Sequence, residues 1–144
     1  MARVVVLAAI AVLAVAGCGG GSGTKRISPD HATLTGVTVH DSSVDFAFDV
    51  QPDSVKTAYA QRASLAECGS GAAVRPAGTA FVVVHFQPAQ SQGVPKRIVM
   101  PSGTVLDVWK VCDFEADVAW AIGLSKKMPV DVSKDAGTVT ITFG

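Results

Sequence analysis

Charge is scarce in this chain. Charged residues make up 17% of its 144 positions, against about 25% in an average globular domain. Neither sign dominates, since twelve Lys and Arg balance twelve Asp and Glu. With 49% apolar residues and no net charge, the chain is not intrinsically disordered, a state that needs low hydrophobicity and high net charge. It also lacks the basic excess that attracts nucleic acid. Lys96-Arg97 and Lys126-Lys127 are isolated pairs and read as solvated turns. A membrane-spanning helix needs roughly 20 apolar residues, and the run from Val4 to Ala16 has thirteen. No Cys-x-x-Cys occurs, and His31, His40 and His85 are not spaced as zinc ligands, so neither metal nor cofactor is expected. No Gly-x-Ser-x-Gly surrounds Ser70, which reads as a turn residue in Cys68-Gly69-Ser70-Gly71. Nucleophile, base and electrostatic group do not converge anywhere, so catalysis is not expected. The length allows one ordinary domain.

What is present begins at the N-terminus. Arg3 precedes the apolar run, and small residues follow it, the order of a secretory signal. The run ends in Val15-Ala16-Gly17-Cys18, which resembles the bacterial lipobox. The resemblance implies that Cys18 receives a diacylglyceryl group, that residues 1–17 are cleaved, and that the protein sits on the extracytoplasmic face of the cell membrane. Two acyl chains anchor stably where one is marginal. The competing reading is an ordinary secretory signal with a chance cysteine. Gly19-Gly20-Gly21-Ser22-Gly23-Thr24 then reads as a flexible tether within 18–29, ahead of a globular domain over 30–144.

With Cys18 assigned to lipid, Cys68 and Cys112 remain as an even pair in an oxidising compartment. A disulfide between them closes a loop of 43 residues, worth about 3–4 kcal/mol on the chain-entropy account. A reactive thiol or metal site is the alternative.

The globular part reads as strands. Val44, Phe46, Phe48 and Val50 alternate with polar or small residues, and Leu34–Val39 reads as their hairpin partner. Phe81–Phe86 is apolar on both faces, the pattern of a central strand, and Pro88 ends it. Val130 and Val132 face Val139, Ile141 and Phe143 across Lys134-Asp135-Ala136-Gly137, a hairpin with Gly available for positive φ. Ser54–Glu67 has partial helical spacing, but its first six residues alternate equally well. Cys112–Leu124 alternates over thirteen residues, which predicts one strand with Cys112, Phe114, Ala116, Val118, Trp120, Ile122 and Leu124 in a core. Many short strands at this spacing predict an all-β domain, an antiparallel sandwich or partly open barrel.

That single strand would carry Asp113, Glu115 and Asp117 on its exposed face. The row is a candidate for a cation, an amino sugar or a peptide amine, or simply a solvated face paired with Lys or Arg across strands. Carboxylates two residues apart on a strand lie about 6.6–6.8 Å from each other, too far to gather Ca²⁺ without a bulge. Trp120 falls in the core set. Trp109 shares the parity of Asp107 and the acidic row, and is the best single candidate for stacking on a ligand ring.

Val111-Cys112-Asp113-Phe114-Glu115, followed by Val118-Ala119-Trp120-Ala121-Ile122-Gly123-Leu124, resembles the signature of the AMIN-like domain of actinobacterial envelope lipoproteins. Ala32-Thr33-Leu34-Thr35-Gly36-Val37, Val44-Asp45-Phe46-Ala47-Phe48, Gly69-Ser70-Gly71, Pro76-Ala77-Gly78-Thr79-Ala80-Phe81 and Phe86-Gln87-Pro88-Ala89 agree in order. The resemblance implies a small β-sandwich that binds peptidoglycan or an envelope protein without catalysis. A carrier or chaperone of a lipophilic envelope molecule is the alternative. A carrier needs a large apolar hollow, whereas a recognition module has a filled core and an outer patch.

Overall fold

The computed structural model describes residues 31–144. Cys18, the signal segment and the tether lie outside the described residues. Ten strands follow one another: β1 (Ala32–Val39), β2 (Ser43–Phe48), β3 (Ser54–Ala60), β4 (Ala80–Gln87), β5 (Ala89–Ser91), β6 (Arg97–Val99), β7 (Val105–Phe114), β8 (Asp117–Leu124), β9 (Val130–Asp135) and β10 (Thr138–Phe143). They form two five-stranded sheets, one in the order β5-β1-β2-β10-β9 and the other β3-β4-β8-β7-β6. Every pairing is antiparallel except β1 with β5. The sheets remain separate and face each other, so the all-β expectation resolves to a sandwich.

Alternation builds the interior. Val44 and Phe46 from β2, Val82, Val84 and Phe86 from β4, Val118, Trp120 and Ile122 from β8, and Val139 and Ile141 from β10 are fully buried in one apolar cluster. Phe46 is its hub, with ring centroids 4.8 Å from Phe86 and 5.8 Å from Trp120. Such tilted contacts suit the aromatic quadrupole. β4 lies between β3 and β8, as its two-faced apolar sequence predicts. Ser54–Ala60 follows its alternation and forms a strand, leaving only the short 3-10 turn Arg62–Ser64 of the helical alternative. The C-terminal hairpin closes through Ala136 and Gly137, both at positive φ. β2 stops at Phe48, short of Val50, because the Asp49 carboxylate turns back to accept the Thr33 and Val50 N–H groups at 2.6 and 2.7 Å.

One expectation is corrected. Cys112–Leu124 is not one strand but the two arms of a hairpin. Glu115 and Ala116 form its two-residue turn with φ of 49° and 62°, pairing Phe114 with Asp117 and Asp113 with Val118. A two-residue turn pairs i with i+3, so the parity that faces the core inverts on crossing it. Val118, Trp120, Ile122 and Leu124 keep their place in the core, while Phe114 is thrown to the opposite face and is 62% exposed. A bulge between Lys110 and Cys112 inverts the parity again.

The outer face of the second sheet is half covered. Ala119 and Ala121 of β8 face away from the main core yet are fully buried, with Leu65, Val74, Phe81 and Val111, in a second cluster. The segment 61–78 provides that cover. Gly123 permits its approach, since a Cβ there would lie 1.9 Å from the Ala77 carbonyl oxygen. The cover is tied down by charge and by sulfur. Ala77 N–H donates to the buried Asp107 carboxylate at 2.8 Å, which also takes both prongs of Arg97 at 3.0 and 2.6 Å. Cys68 and Cys112 are joined in a disulfide, with Cα atoms 5.1 Å apart.

Candidate ligand-binding surface

The cover ends at the disulfide. Beyond it the outer face is open, and the ladder places two rows of side chains there. One is Lys56 and His85 on β3 and β4, the uncovered half of a row that runs on to the buried Ala119 and the disulfide-bonded Cys112. Phe114 and Asp117, directly opposite each other, begin the next row, and the exposed Gln87 lies beyond Phe86 on β4. His85 Nδ1 lies 3.0 and 3.1 Å from the two Asp117 oxygens, the geometry of one N–H shared between them. Its Nε2 makes no hydrogen bond among the described residues. The patch therefore joins a bare aromatic face to an oriented imidazole–carboxylate pair, an amide and an ammonium.

A groove of about 330 Å³ continues from Phe114 along the disulfide, lined also by Glu67, Lys96, Lys110 and Asp113. Lys96 pairs with Glu67 on its wall. The Lys96 ammonium holds the Glu67 carboxyl below its ordinary value. At the inner margin, Lys110 Nζ donates to Ser91 Oγ at 2.8 Å, and Ser91 in turn donates to Asp113. A nucleophilic serine needs a base free to take its proton. Here the hydroxyl donates to one partner and accepts from the other, so the three side chains clasp β5 to β7 at the open side of the sandwich.

The predicted acidic row is dispersed by the hairpin. Asp113 turns to the clasp, Glu115 occupies the exposed turn, and Asp117 lies on the outer face beneath His85. They do not share a face. Trp109 packs against the second cluster, and the Arg97 guanidinium lies 4.4 Å from its ring centroid, so Arg97 occupies the face a sugar ring would use. Phe114, which alternation assigned to the core, is the exposed ring instead. No local signal reveals this, because Glu-Ala lacks the Asn-Gly or Asp-Gly signature of such turns. Among the described residues no three His, Cys, Asp or Glu side chains gather where a metal ion could be held.

No family model, curated protein or solved structure matches the chain.

Proposed function

We propose that this protein is a lipid-anchored recognition module on the extracytoplasmic face of a cell membrane, and that the open half of the second sheet binds cell-wall glycan. The observation that carries the reading is the exposed Phe114 ring beside the Asp117–His85 pair. An aromatic face with convergent polar groups is how a protein surface takes a sugar, apolar on its faces and hydroxylated at its edges. The packed interior favours recognition over carriage, since the facing sheets are filled by Phe46, Phe86 and Trp120 where a carrier needs a hollow. The likeness to AMIN-like domains points the same way. Anchoring follows from the lipobox at Cys18.

Both sheets and the disulfide lie within residues 31–144, so the chain from Thr24 onward is the material for the test. It should co-sediment with purified peptidoglycan, and Phe114→Ala should weaken retention about tenfold, equivalent to about 1.4 kcal/mol, with an unchanged melting temperature. Equal retention of Phe114→Ala, or none by the parent chain, would overturn the glycan assignment. For the anchor, Cys18→Ala in the full chain should abolish labelling by a fatty-acid analogue; retained label refutes it.

A further inference from the structure

Four strands form the edges of the two sheets: β5, β9, β3 and β6. Edges offer unpaired backbone groups to any passing strand, and proteins protect them by shortness, charge or bulges. β5 and β6 have three residues each. β9 carries Asp131, Lys134 and Asp135 along its six residues. β3 is the least protected of the four. It runs for seven residues in unbroken register with β4, with no bulge or proline, and Lys56 is its one charge. Beyond that ladder its backbone makes no hydrogen bond among the described residues.

A groove runs beside this edge. One part, about 480 Å³, lies between Thr57, Ala58 and Tyr59 and the segment 127–130 that crosses from one sheet to the other. It continues past Tyr59 and Lys127 into a part of about 680 Å³ bordered by Phe81, Arg62 and Lys126. No carboxylate lines either part. Arg62, Lys126 and Lys127 do, and none of them forms an ion pair among the described residues. Two are held over aromatic rings, Arg62 at 4.5 Å from the Phe81 centroid and Lys127 at 4.8 Å from that of Tyr59. In a chain with equal numbers of each sign, three cations around one groove with no acid between them form a local positive field.

We infer that β3 is a docking edge for an extended, acidic segment of a partner protein. The segment adds as a strand to β3, its backbone completing the ladder. Because side chains alternate along a strand, one set enters the apolar groove at Tyr59 and Met128, and acidic residues meet Lys127, Lys126 and Arg62. A second copy of this chain fits less well, since pairing β3 with itself about Thr57 sets the two Lys56 side chains diagonally across the new ladder. Lys56 of β3 borders both this edge and the Phe114 patch, but the two grooves share no lining residue, so Phe114→Ala and changes at Lys126 and Lys127 separate the two readings.

The chain from Thr24 onward is titrated with a capped alternating Val-Glu peptide, its Val-Lys counterpart, and the Val-Glu peptide with every backbone nitrogen methylated. The Val-Glu peptide should bind, slow amide exchange within Ser54–Ala60, and lose affinity as salt rises; the other two should not bind. Lys126→Glu with Lys127→Glu, both exposed on a connecting segment, should weaken binding about tenfold, and Phe114→Ala should leave it unchanged. The inference is overturned if the Val-Lys or methylated peptide binds equally, if β3 amides gain no protection, or if the double charge reversal has no effect. A concentration-dependent dimer that protects β3 without peptide would assign the edge to self-association instead.

Discussion

Arg97 and Asp107 bond to each other from positions of unequal solvent access, and this predicts an unequal response to losing either one. Asp107 is fully buried, whereas the Arg97 side chain is 41% exposed. Arg97→Ala removes two charge-assisted bonds and the cation over Trp109, and leaves a carboxylate out of water with one N–H donor, that of Ala77. Breaking a buried pair from that side costs about 3–5 kcal/mol, because the stranded charge cannot recover its hydration. Asp107→Asn preserves volume and an acceptor for Ala77, and the guanidinium can turn to solvent. Its cost is that of lost charge-assisted hydrogen bonds, about 1.5–3 kcal/mol. Arg97→Lys should fall between wild type and Arg97→Ala, since an ammonium keeps the charge but not the two-pronged fit. Urea unfolding followed by tryptophan fluorescence measures all three. The order is decisive: a larger loss for Asp107→Asn than for Arg97→Ala, or losses below about 1 kcal/mol for both, would refute the buried-carboxylate reasoning.

Trp120→Ala should cost about 3–5 kcal/mol by emptying the centre of the main cluster; a shift in urea midpoint equivalent to less than 1 kcal/mol would mean that the ring is not packed between the sheets. Asp45 and Asp49 have carboxyls held below the ordinary value of 3.8, the first chiefly by the Thr140 hydroxyl and the second by the Thr33 N–H. Their contribution is therefore complete above that value and is lost as pH falls through the lowered folded values, so Thr140→Val should reduce the acid sensitivity of the urea midpoint. Ala116→Gly should stabilise by about 0.5–1 kcal/mol, the left-handed penalty of an L-residue less the entropy glycine adds to the unfolded chain; a lower midpoint would place the turn elsewhere.

The sandwich was legible wherever burial on one face alone sets the residue pattern. Val44–Phe48 and Thr138–Phe143 satisfy that condition and period two identifies them, whereas Phe81–Phe86 was legible as a continuous apolar run because both of its faces are covered. β5 was not legible, since Ala89-Gln90-Ser91 is three residues with no periodicity, and its strand state comes from pairing with β1. The break inside Cys112–Leu124 was hidden for a different reason. Its turn inverts parity, but Cys112 and Phe114 before it are apolar although they lie on the outer face, so the alternation stays nearly perfect while the faces exchange. Alternation identifies strands, but it assigns faces only where the positions of turns and bulges are known.

For the surface, the cysteine pairing was legible from arithmetic and the compartment that the N-terminal signal leads one to expect, whereas the exposed ring was not. The outer positions of β8 show what separates the two halves of the face. Ala119, Ala121 and Gly123 are small, so the segment 61–78 can lie against the sheet and bury them with Leu65 and Val74. At Asp117 the outward side chain becomes charged, and its neighbours His85 and Lys56 are too polar to bury without partners. The cover turns away at that point, and the Cys68–Cys112 bridge lies at the boundary, two residues before Phe114. The bridge thus does more than shorten the unfolded chain's excursions. Without it, lifting the cover would expose apolar surface on β8 and β4 beside Phe114, turning a bounded polar–aromatic patch into a broad hydrophobic one of the kind that binds without discrimination.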